Sequence, residues 1–237
     1  MLTDAQYLRC VYTIAPSAFY QIVAHHLRTL TPLSVTRMGD GEALLVKHFD
    51  SLPEELTTLP FVKDPETWLK RMGLWNIPKV ELLTRMRTAM TDSTFFAPSV
   101  SGLTNSTFEI DLPYMGWRSS SITAKLVDNF FVNQWTAAQK EELYEATEGV
   151  TLIHSSAELA DEFQKRVTRF KMNFIRLSSW EQTEDVIAKA RDVGHQLVLF
   201  SGGPAGKYIA PRIAEGSNKV VIDIGNSAPD WLPARRP

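Results

Sequence analysis

The feature of this sequence that most constrains its fold is a short apolar run that ends at two glycines, within residues 33–42. The run from Leu33 to Thr36 is typical of a strand that is buried on both faces of a sheet. It stops at Gly39, and Gly41 interrupts the chain again. Because glycine lets the backbone turn sharply and approach a ligand closely, the pattern predicts a strand that ends at a binding site.

Charged side chains accompany these glycines. Asp40 and Glu42 supply the hard oxygen ligands that a divalent cation prefers, and Arg37 offers a planar fork suited to phosphate or carboxylate. The residues alone leave a simpler interpretation open, because Asp-Gly is an ordinary turn dipeptide and Arg37 can form a surface ion pair.

A second stretch, residues 196–207, repeats the design with an apolar strand, a glycine-rich turn and a helix that carries Lys207. The turn contains Ser201, Gly202 and Gly203. The amino terminus of the following helix is expected to present free N–H groups to an anion, and Lys207 adds a positive charge. The turn lacks the spacing of a Walker phosphate loop and of the dinucleotide fingerprint, which argues against an ATPase or a dehydrogenase.

A third apolar run, Lys219 to Ile224, ends near Asp223 and Gly225. Ligands of open α/β sheets bind at the carboxyl ends of the strands, so these strand ends predict one shared crevice. A carboxylate pair beside an anion-holding turn fits a substrate that contains a diphosphate. Asp223 can hold ribose or metal, serve as an acid near the acceptor, or only cap the next turn.

Strands and helices alternate along most of the chain. Helical spacing of apolar residues predicts helices over residues 3–30 (in two pieces, with Pro16 in a first turn), 65–73, 78–91, 122–133, 137–147, 157–170, 180–193 and 205–215. Short apolar runs predict strands over residues 33–37, 94–97, 150–154, 172–177, 197–200 and 219–224. The pattern predicts a single α/β domain over residues 1–237, with a mostly parallel sheet and helices on both faces.

Two segments fall outside this alternation. Residues 98–121 are polar and rich in turn residues, which fits a functional loop or lid, or equally a surface excursion held down by its aromatic residues. Residues 228–237 contain three prolines and are expected to form a loose tail.

Composition restricts the class of protein. The net charge of −2 gives no reason to expect nucleic-acid binding from overall electrostatics. The single cysteine, Cys10, indicates a reducing compartment. No apolar run approaches the ~20 residues of a membrane span, and no secretory signal is apparent. We therefore expect a soluble, cytoplasmic protein that does not bind a membrane.

Residues 37–42 resemble the Arg-Phe-Gly-Asp-Gly-Glu signature of the GT-D-fold glycosyltransferases. Residues 201–207 and 222–225 are similar to that family's later motifs, in the same order and at similar spacing. Two positions differ: Met38 stands where the signature has Phe, and Asn226 stands where His is expected after Asp-Ile-Gly.

The resemblance implies a Rossmann-like, GT-D-type catalytic domain that transfers a sugar from a nucleotide-sugar, commonly UDP-linked, with Mn²⁺ or Mg²⁺. Asp40 and Glu42 map onto the motif that holds the metal and the diphosphate, and with Asp223 they form the predicted catalytic set. The predicted nucleotide-sugar-binding residues are Arg37, Gly39, Gly41, Ser201, Gly202, Gly203, Lys207 and Asn226.

Several alternatives stay open at this point. The acceptor can be a glycan, a glycoprotein or a modified nucleic-acid base, and neither the stereochemical outcome nor the oligomeric state can be read from the sequence. A non-catalytic module that binds a nucleotide-sugar or a sugar phosphate is a second hypothesis. A metal-dependent phosphoesterase is a third, although the scattered histidines His48, His154 and His195 are more simply interpreted as packed or surface residues.

Overall fold

The structure is a computed structural model that describes residues 13–39, 42, 64–71, 74, 76–98, 125–127, 129–167 and 169–234. Several predicted features lie outside these residues. They are the start of the first helix, Asp40, Gly41, residues 99–121 of the expected loop or lid, and residues 235–237 of the expected tail.

The described strands form one eight-stranded sheet. They are β1 (Thr13–Ile14), β2 (Leu33–Met38), β3 (Phe95–Pro98), β4 (Lys125–Val127), β5 (Gly149–His154), β6 (Lys171–Arg176), β7 (Leu197–Phe200) and β8 (Val220–Asp223). Their order across the sheet is β1-β4-β3-β2-β8-β7-β5-β6, and every pairing is parallel. The predicted α/β class with a parallel sheet is confirmed.

Helices connect the strands. They are α1 (Pro16–Arg28), α2 (Pro65–Arg71), α3 (Lys79–Asp92), α4 (Phe131–Gln134), α5 (Ala137–Ala146), α6 (Ala157–Arg166), α7 (Thr183–Asp192) and α8 (Ile209–Ala214). Side-chain caps mark the beginning of two of them: Thr136 and Gln139 form a capping box before α5, and the Ser156 hydroxyl caps α6. No helix of the described residues has both the length and the apolar character needed to cross a membrane.

Both faces of the sheet are covered, as the sequence predicts for short apolar strands. Helices α1, α4, α5 and α6 contribute to the hydrophobic core on one face, and α3, α7 and α8 contribute to the core on the other. Successive residues of β7 point alternately into the two cores: Leu197 and Leu199 into the first, Val198 and Phe200 into the second. The sheet is therefore the middle layer of three.

At one edge of the sheet, two segments that were predicted to be helical form strands. Within the expected helix over residues 122–133, Lys125–Val127 form β4, and within the expected helix over residues 3–30, Thr13–Ile14 form β1. Strand β1 pairs with β4, and β4 pairs with β3. The Leu126 side chain is buried. These long-range pairings override helical spacing that is ambiguous over so few residues.

The prediction of a loose tail over residues 228–237 is also corrected. Residues 228–231 belong to a 3₁₀ segment, Gly225–Trp231, and the Trp231 side chain is fully buried. The Tyr144 hydroxyl donates to the carbonyl oxygen of Trp231 at 2.6 Å. The Lys140 ammonium lies over the Trp231 ring, 5.1 Å from its centroid. The burial of one large aromatic side chain outweighs the effect of the prolines and holds this segment on the α5 face.

The connections from neighbouring strands leave the carboxyl edge toward opposite faces. Helix α6, which follows β5, contributes to the first core, whereas α8, which follows the adjacent β7, contributes to the second. The segment after β8 returns to the first core through Trp231. Such a divergence opens a crevice above the strands, where ligands of open α/β sheets bind.

Candidate functional site

A cleft of about 160 Å³ opens at the carboxyl edge of β5, β6, β7 and β8. We call it the polar cleft, and its lining residues are His154, Ser155, Leu177, Ser178, Ser179, Trp180, Ser201, Gly202, Gly203 and Asn226. All of them lie at the end of a strand or in the segment that follows it. The cleft therefore occupies the divergence of connections described above.

Four residues from the predicted nucleotide-sugar set meet in the polar cleft. Ser201, Gly202 and Gly203 come from the turn after β7, and Asn226 comes from the segment after β8. The common crevice expected from the strand ends thus includes these four residues. Asn226 is exposed at the cleft surface.

The other wall consists of residues that the sequence-based prediction missed. His154 ends β5 and Ser155 follows it, and Ser178, Ser179 and Trp180 follow β6. The available signal was the one used for β7 and β8: a polar cluster directly after an apolar run in a parallel sheet. Applied to the His-Ser-Ser and Ser-Ser-Trp sequences, the same rule places them at this edge.

The turn after β7 requires glycine for two separate reasons. Gly203 has φ +61° and ψ −174°, a conformation that is essentially restricted to glycine. A Cβ atom on Gly202 would lie 2.9 Å from the Leu177 side chain and 3.2 Å from the Cα of Gly206. The turn can therefore close against the end of β6 only without side chains, which keeps its backbone at the cleft wall.

The helix expected after this turn does not begin where the sequence indicates. A 3₁₀ segment, Pro204–Gly206, comes first, and the six-residue helix α8 begins only at Ile209. The N–H of Gly206 donates to the carbonyl of Gly203, and the N–H of Lys207 donates to the carbonyl of Pro204. These two amides are used within the turn, so they do not form the free anion-binding helix terminus that was predicted.

His154 is a neutral donor at the cleft wall. Its Nδ1 accepts a hydrogen bond from the backbone N–H of Ser156 at 2.9 Å, which leaves the proton on Nε2. Burial lowers the pKa of the imidazole below its ordinary value, so the ring is uncharged at neutral pH.

An arginine side chain stacks on the Trp180 ring. The Arg85 guanidinium lies 5.1 Å from the Trp180 ring centroid and 4.6 Å from that of Tyr208. Arg85 also donates to the backbone carbonyl of Trp180 at 3.1 Å. The Tyr208 hydroxyl in turn donates to Glu184 at 2.5 Å. These contacts, which come from α3, from α7 and from Tyr208 just before α8, hold the indole in one position at the cleft.

A second group of predicted residues lies at the carboxyl ends of β2 and β8. We call it the charge cluster, and it consists of Arg37, Glu42, Lys207 and Asp223. The Lys207 ammonium lies 2.7 Å from Asp223 and 3.0 Å from Glu42, and only 7% of the Lys207 side chain is exposed. The lysine therefore bridges two carboxylates inside the protein.

The electrostatics of the charge cluster fix its protonation. Burial by itself raises the pKa of Glu42, but the Lys207 ammonium and the backbone N–H of Gly39 outweigh it and lower that pKa. Burial likewise lowers the pKa of Lys207, and the carboxylates of Asp223 and Glu42 raise it above its ordinary value. Both partners are accordingly charged at neutral pH, and each neutralises the other.

Arg37 joins three parts of the backbone. Its Nε donates to the carbonyl of Asn129 at 3.1 Å and to the Asn129 amide oxygen at 2.5 Å. Its Nη1 donates to the carbonyl of Ile224 at 2.7 Å, and its backbone N–H donates to Asp223 at 3.1 Å. The fork that the sequence suggested for phosphate therefore binds protein carbonyls.

The Asp223 carboxylate, like the Arg37 guanidinium, is bonded to groups of the protein. Besides Arg37 and Lys207, it accepts the backbone N–H of Gly225 at 3.0 Å. Gly225 itself has φ +47°, and a Cβ atom there would lie 2.8 Å from the Arg37 guanidinium. Of the meanings left open for Asp223, the geometry supports the cap of the following turn, combined with a buried ion pair.

We tested whether the carboxylates of this cluster fit a metal ion. Lys207 lies between Glu42 and Asp223 and neutralises both. Throughout the described part of the chain, no group of three or more His, Cys, Asp or Glu residues could hold a metal. The described donors therefore do not fit a cation as they are arranged, and Asp40, the other predicted ligand, lies outside the described residues.

Comparison with known proteins identifies the family. A family model described as a GT-D fold-like domain matches residues 14–231. The chain therefore belongs to the GT-D fold-like family, as the three sequence motifs predicted.

A solved structure shows the same fold. It is described as a highly conserved domain of unknown function 1792 with a distinct glycosyltransferase fold, and it aligns with a TM-score of 0.54 at 14% sequence identity. The alignment covers 96% of this chain and 83% of the other. No curated protein matches the chain. The fold is thus a glycosyltransferase fold.

Proposed function

We propose that this protein is a glycosyltransferase that moves a sugar from a nucleotide-sugar, with UDP-sugars as the first candidates, to an acceptor. The family and the fold support the transferase class. The observation that carries the proposal is the polar cleft, which lies at the divergence of connections and is lined by hydroxyl, amide, imidazole and indole groups. Cofactor and nucleotide sites of open α/β sheets lie at this place.

The chain's own residues have distinct parts in the proposed reaction. The glycine turn keeps the backbone close to the ligand, and Ser201 and Asn226 hydrogen-bond it. His154, as a neutral Nε2–H donor, hydrogen-bonds the ligand without itself carrying charge. Of the charge cluster, Arg37, Lys207 and Asp223 do not contact the ligand. They join β2, β8 and the segment before α8, and thereby hold the cleft floor in place.

Metal dependence stays a prediction. Mn²⁺ or Mg²⁺ would be held through Asp40 together with Glu42, and this would require Glu42 to exchange its contact with Lys207 for the metal. When bound, such an ion would neutralise the diphosphate as it leaves. Catalytic roles for Asp40 and Glu42 depend on that exchange.

The proposal is tested with a panel of UDP-, GDP-, ADP- and dTDP-linked sugars. Binding is measured by calorimetry and turnover by nucleotide release, each with Mn²⁺, with Mg²⁺ and with chelator. We expect micromolar to millimolar binding of at least one donor and slow hydrolysis in the absence of acceptor. No binding to any member of the panel would contradict the proposal, and an unchanged activity of Asp40→Asn with chelator present would contradict metal dependence.

A second candidate is favoured by one observation: the described lining of the polar cleft contains no carboxylate that could serve as a base. A protein with this cleft could bind a nucleotide-sugar without transferring it. The same panel separates the two, since binding without nucleotide release under any metal condition or with any acceptor would establish the binding module.

The acceptor is proposed from the same three classes: glycan, glycoprotein or modified nucleic-acid base. Once a donor is known, transfer of the labelled sugar to a glycan array, to deglycosylated and intact glycoproteins, and to DNA containing hydroxylated pyrimidines is measured in parallel. Label on one class and not on the others assigns the acceptor.

A further inference from the structure

The polar cleft lacks charge over all of its described lining. Its polar groups are serine hydroxyls, one amide, one imidazole and backbone groups, and the imidazole is neutral because burial lowers its pKa. Three cationic side chains near the cleft are engaged with protein groups: Lys207 binds two carboxylates, Arg37 binds two carbonyls, and Arg85 binds Glu81 and the Trp180 carbonyl. A diphosphate calls for cationic partners, and the cleft offers none among its described residues.

As bounded by the described residues, the cleft encloses only part of a nucleotide-sugar. Its volume of about 160 Å³ lies below the roughly 300–1,000 Å³ of pockets that enclose drug-sized ligands. A single uncharged ring is the part of such a donor that matches it. The hydroxyls of Ser155, Ser178 and Ser201 both donate and accept hydrogen bonds, which is the requirement set by the hydroxyl groups of a sugar.

Trp180 supplies the complementary apolar contact. A pyranose carries C–H groups on one face, and such a face packs on an indole ring while the hydroxyls at its edge bond polar groups. Arg85, which is stacked between Trp180 and Tyr208, fixes the indole before any ligand arrives. A side chain that is already ordered loses little conformational entropy on binding.

We propose that the polar cleft is a glycosyl subsite: it takes one uncharged hexopyranose, with Trp180 packed on the sugar and the serines bonded to its hydroxyls. This inference rests on the proposed function in one respect only, namely that the sugar belongs to the nucleotide-sugar donor. It then follows that the diphosphate lies outside the cleft and that Trp180 contributes to the choice of sugar.

The first test uses sugars without any nucleotide. Saturation-transfer NMR is recorded with methyl glycosides of glucose, galactose, mannose and N-acetylglucosamine on wild type, Trp180→Ala and Trp180→Phe. We expect transfer to at least one glycoside in the wild type, a loss of at least about threefold in Trp180→Ala, and retention in Trp180→Phe. Val80→Ala, an exposed position on α3, is the control and should match wild type.

The second test uses the tightest nucleotide-sugar of the panel and its free nucleotide. If the donor's sugar occupies the cleft, Trp180→Ala weakens binding of the nucleotide-sugar and leaves binding of the free nucleotide unchanged. Equal weakening of both, or of neither, would overturn the assignment to the donor sugar. Thermal unfolding of each variant shows that the fold is retained.

The two proposals fail in different ways. Absence of saturation transfer to any glycoside in the wild type overturns the glycosyl subsite, whatever the nucleotide assays give. Transfer to a glycoside that depends on Trp180, together with no binding of any nucleotide-sugar, overturns the proposed donor and leaves the sugar subsite established.

Discussion

The polar cleft and the charge cluster are neighbours at the carboxyl edge of one sheet, but their side chains are used in opposite ways. In the charge cluster, Lys207 and Asp223 are almost fully buried and each bonds other protein groups. In the polar cleft, neutral groups such as Ser201 and Asn226 face an open space. Buried charges must be paired within the protein, so Lys207 and Asp223 are bonded to protein groups, whereas the neutral groups remain accessible in the cleft.

The largest loss of stability is expected when the buried cation of the charge cluster is removed. Lys207→Met keeps the aliphatic stem but leaves Glu42 and Asp223 buried without their counter-charge. The free energy of unfolding in urea is expected to fall by about 3–5 kcal/mol. Lys189→Met is the matched control, because its exposed ion pair with Asp185 should be worth under about 1 kcal/mol. Equal losses in the two variants would show that Lys207 is not a structural cation.

A substitution next to the charge cluster should have the second largest effect. Gly225→Ala places a side chain at positive φ and 2.8 Å from a guanidinium that three hydrogen bonds anchor. We expect a loss of about 2–4 kcal/mol in unfolding free energy. Gly216→Ala has the same kind of φ but open space around it, so it should lose only about 1–2 kcal/mol. If Gly225→Ala lost no more than this control, Arg37 would not be held rigidly.

The polar cleft should respond to pH where the histidine titrates. Burial lowers the pKa of His154 in the folded state, so its stabilising contribution is present above the ordinary pKa of 6.5 and is lost as the pH falls below it. Wild type should therefore lose stability relative to His154→Asn between pH 7.5 and pH 5, a smaller change than the two losses above. Parallel curves of unfolding free energy against pH for the two proteins would contradict a neutral, desolvated His154.

The smallest effect on stability is expected within the cleft. Ser201→Ala removes a hydroxyl that faces the cleft, so the free energy of unfolding should change by less than about 0.5 kcal/mol. The dissociation constant of the donor should rise by about 2–10-fold, the equivalent of one hydrogen bond. Ser17→Ala, exposed on α1, is the control for both readouts. A large loss of stability with unchanged affinity would reverse the roles given to the two regions.

The layered α/β fold and the position of the candidate site at the carboxyl edge of the sheet could be predicted from the sequence, because both follow from local patterns. Short apolar runs identified six strands of the sheet, and polar residues after β7 and β8 pointed to the edge at which the polar cleft lies. Strands β1 and β4, the outer two at one side of the sheet, were missed because their pairing, Thr13 with Leu126, joins distant segments. The burial of Trp231 likewise depends on α5, far away in the chain.

The roles of individual charges could not be read from the sequence. Lys207 follows a glycine turn and therefore looked like a phosphate ligand. Its partners, Asp223 and Glu42, are set by the adjacency of β2 and β8, which only the assembled sheet defines. His154 was interpreted as a packed or surface residue, since nothing local shows that β5 neighbours β7. Side-chain direction at a strand end depends on these neighbours.

The most direct test of this account is a crystal structure of the protein with the nucleotide-sugar that binds most tightly. We expect the sugar ring in the polar cleft, packed on Trp180 and bonded to Ser201, while Lys207 still bonds Asp223. Phosphate oxygens on Lys207, with its contact to Asp223 broken and the polar cleft empty, would contradict the division between a structural charge cluster and a neutral ligand site.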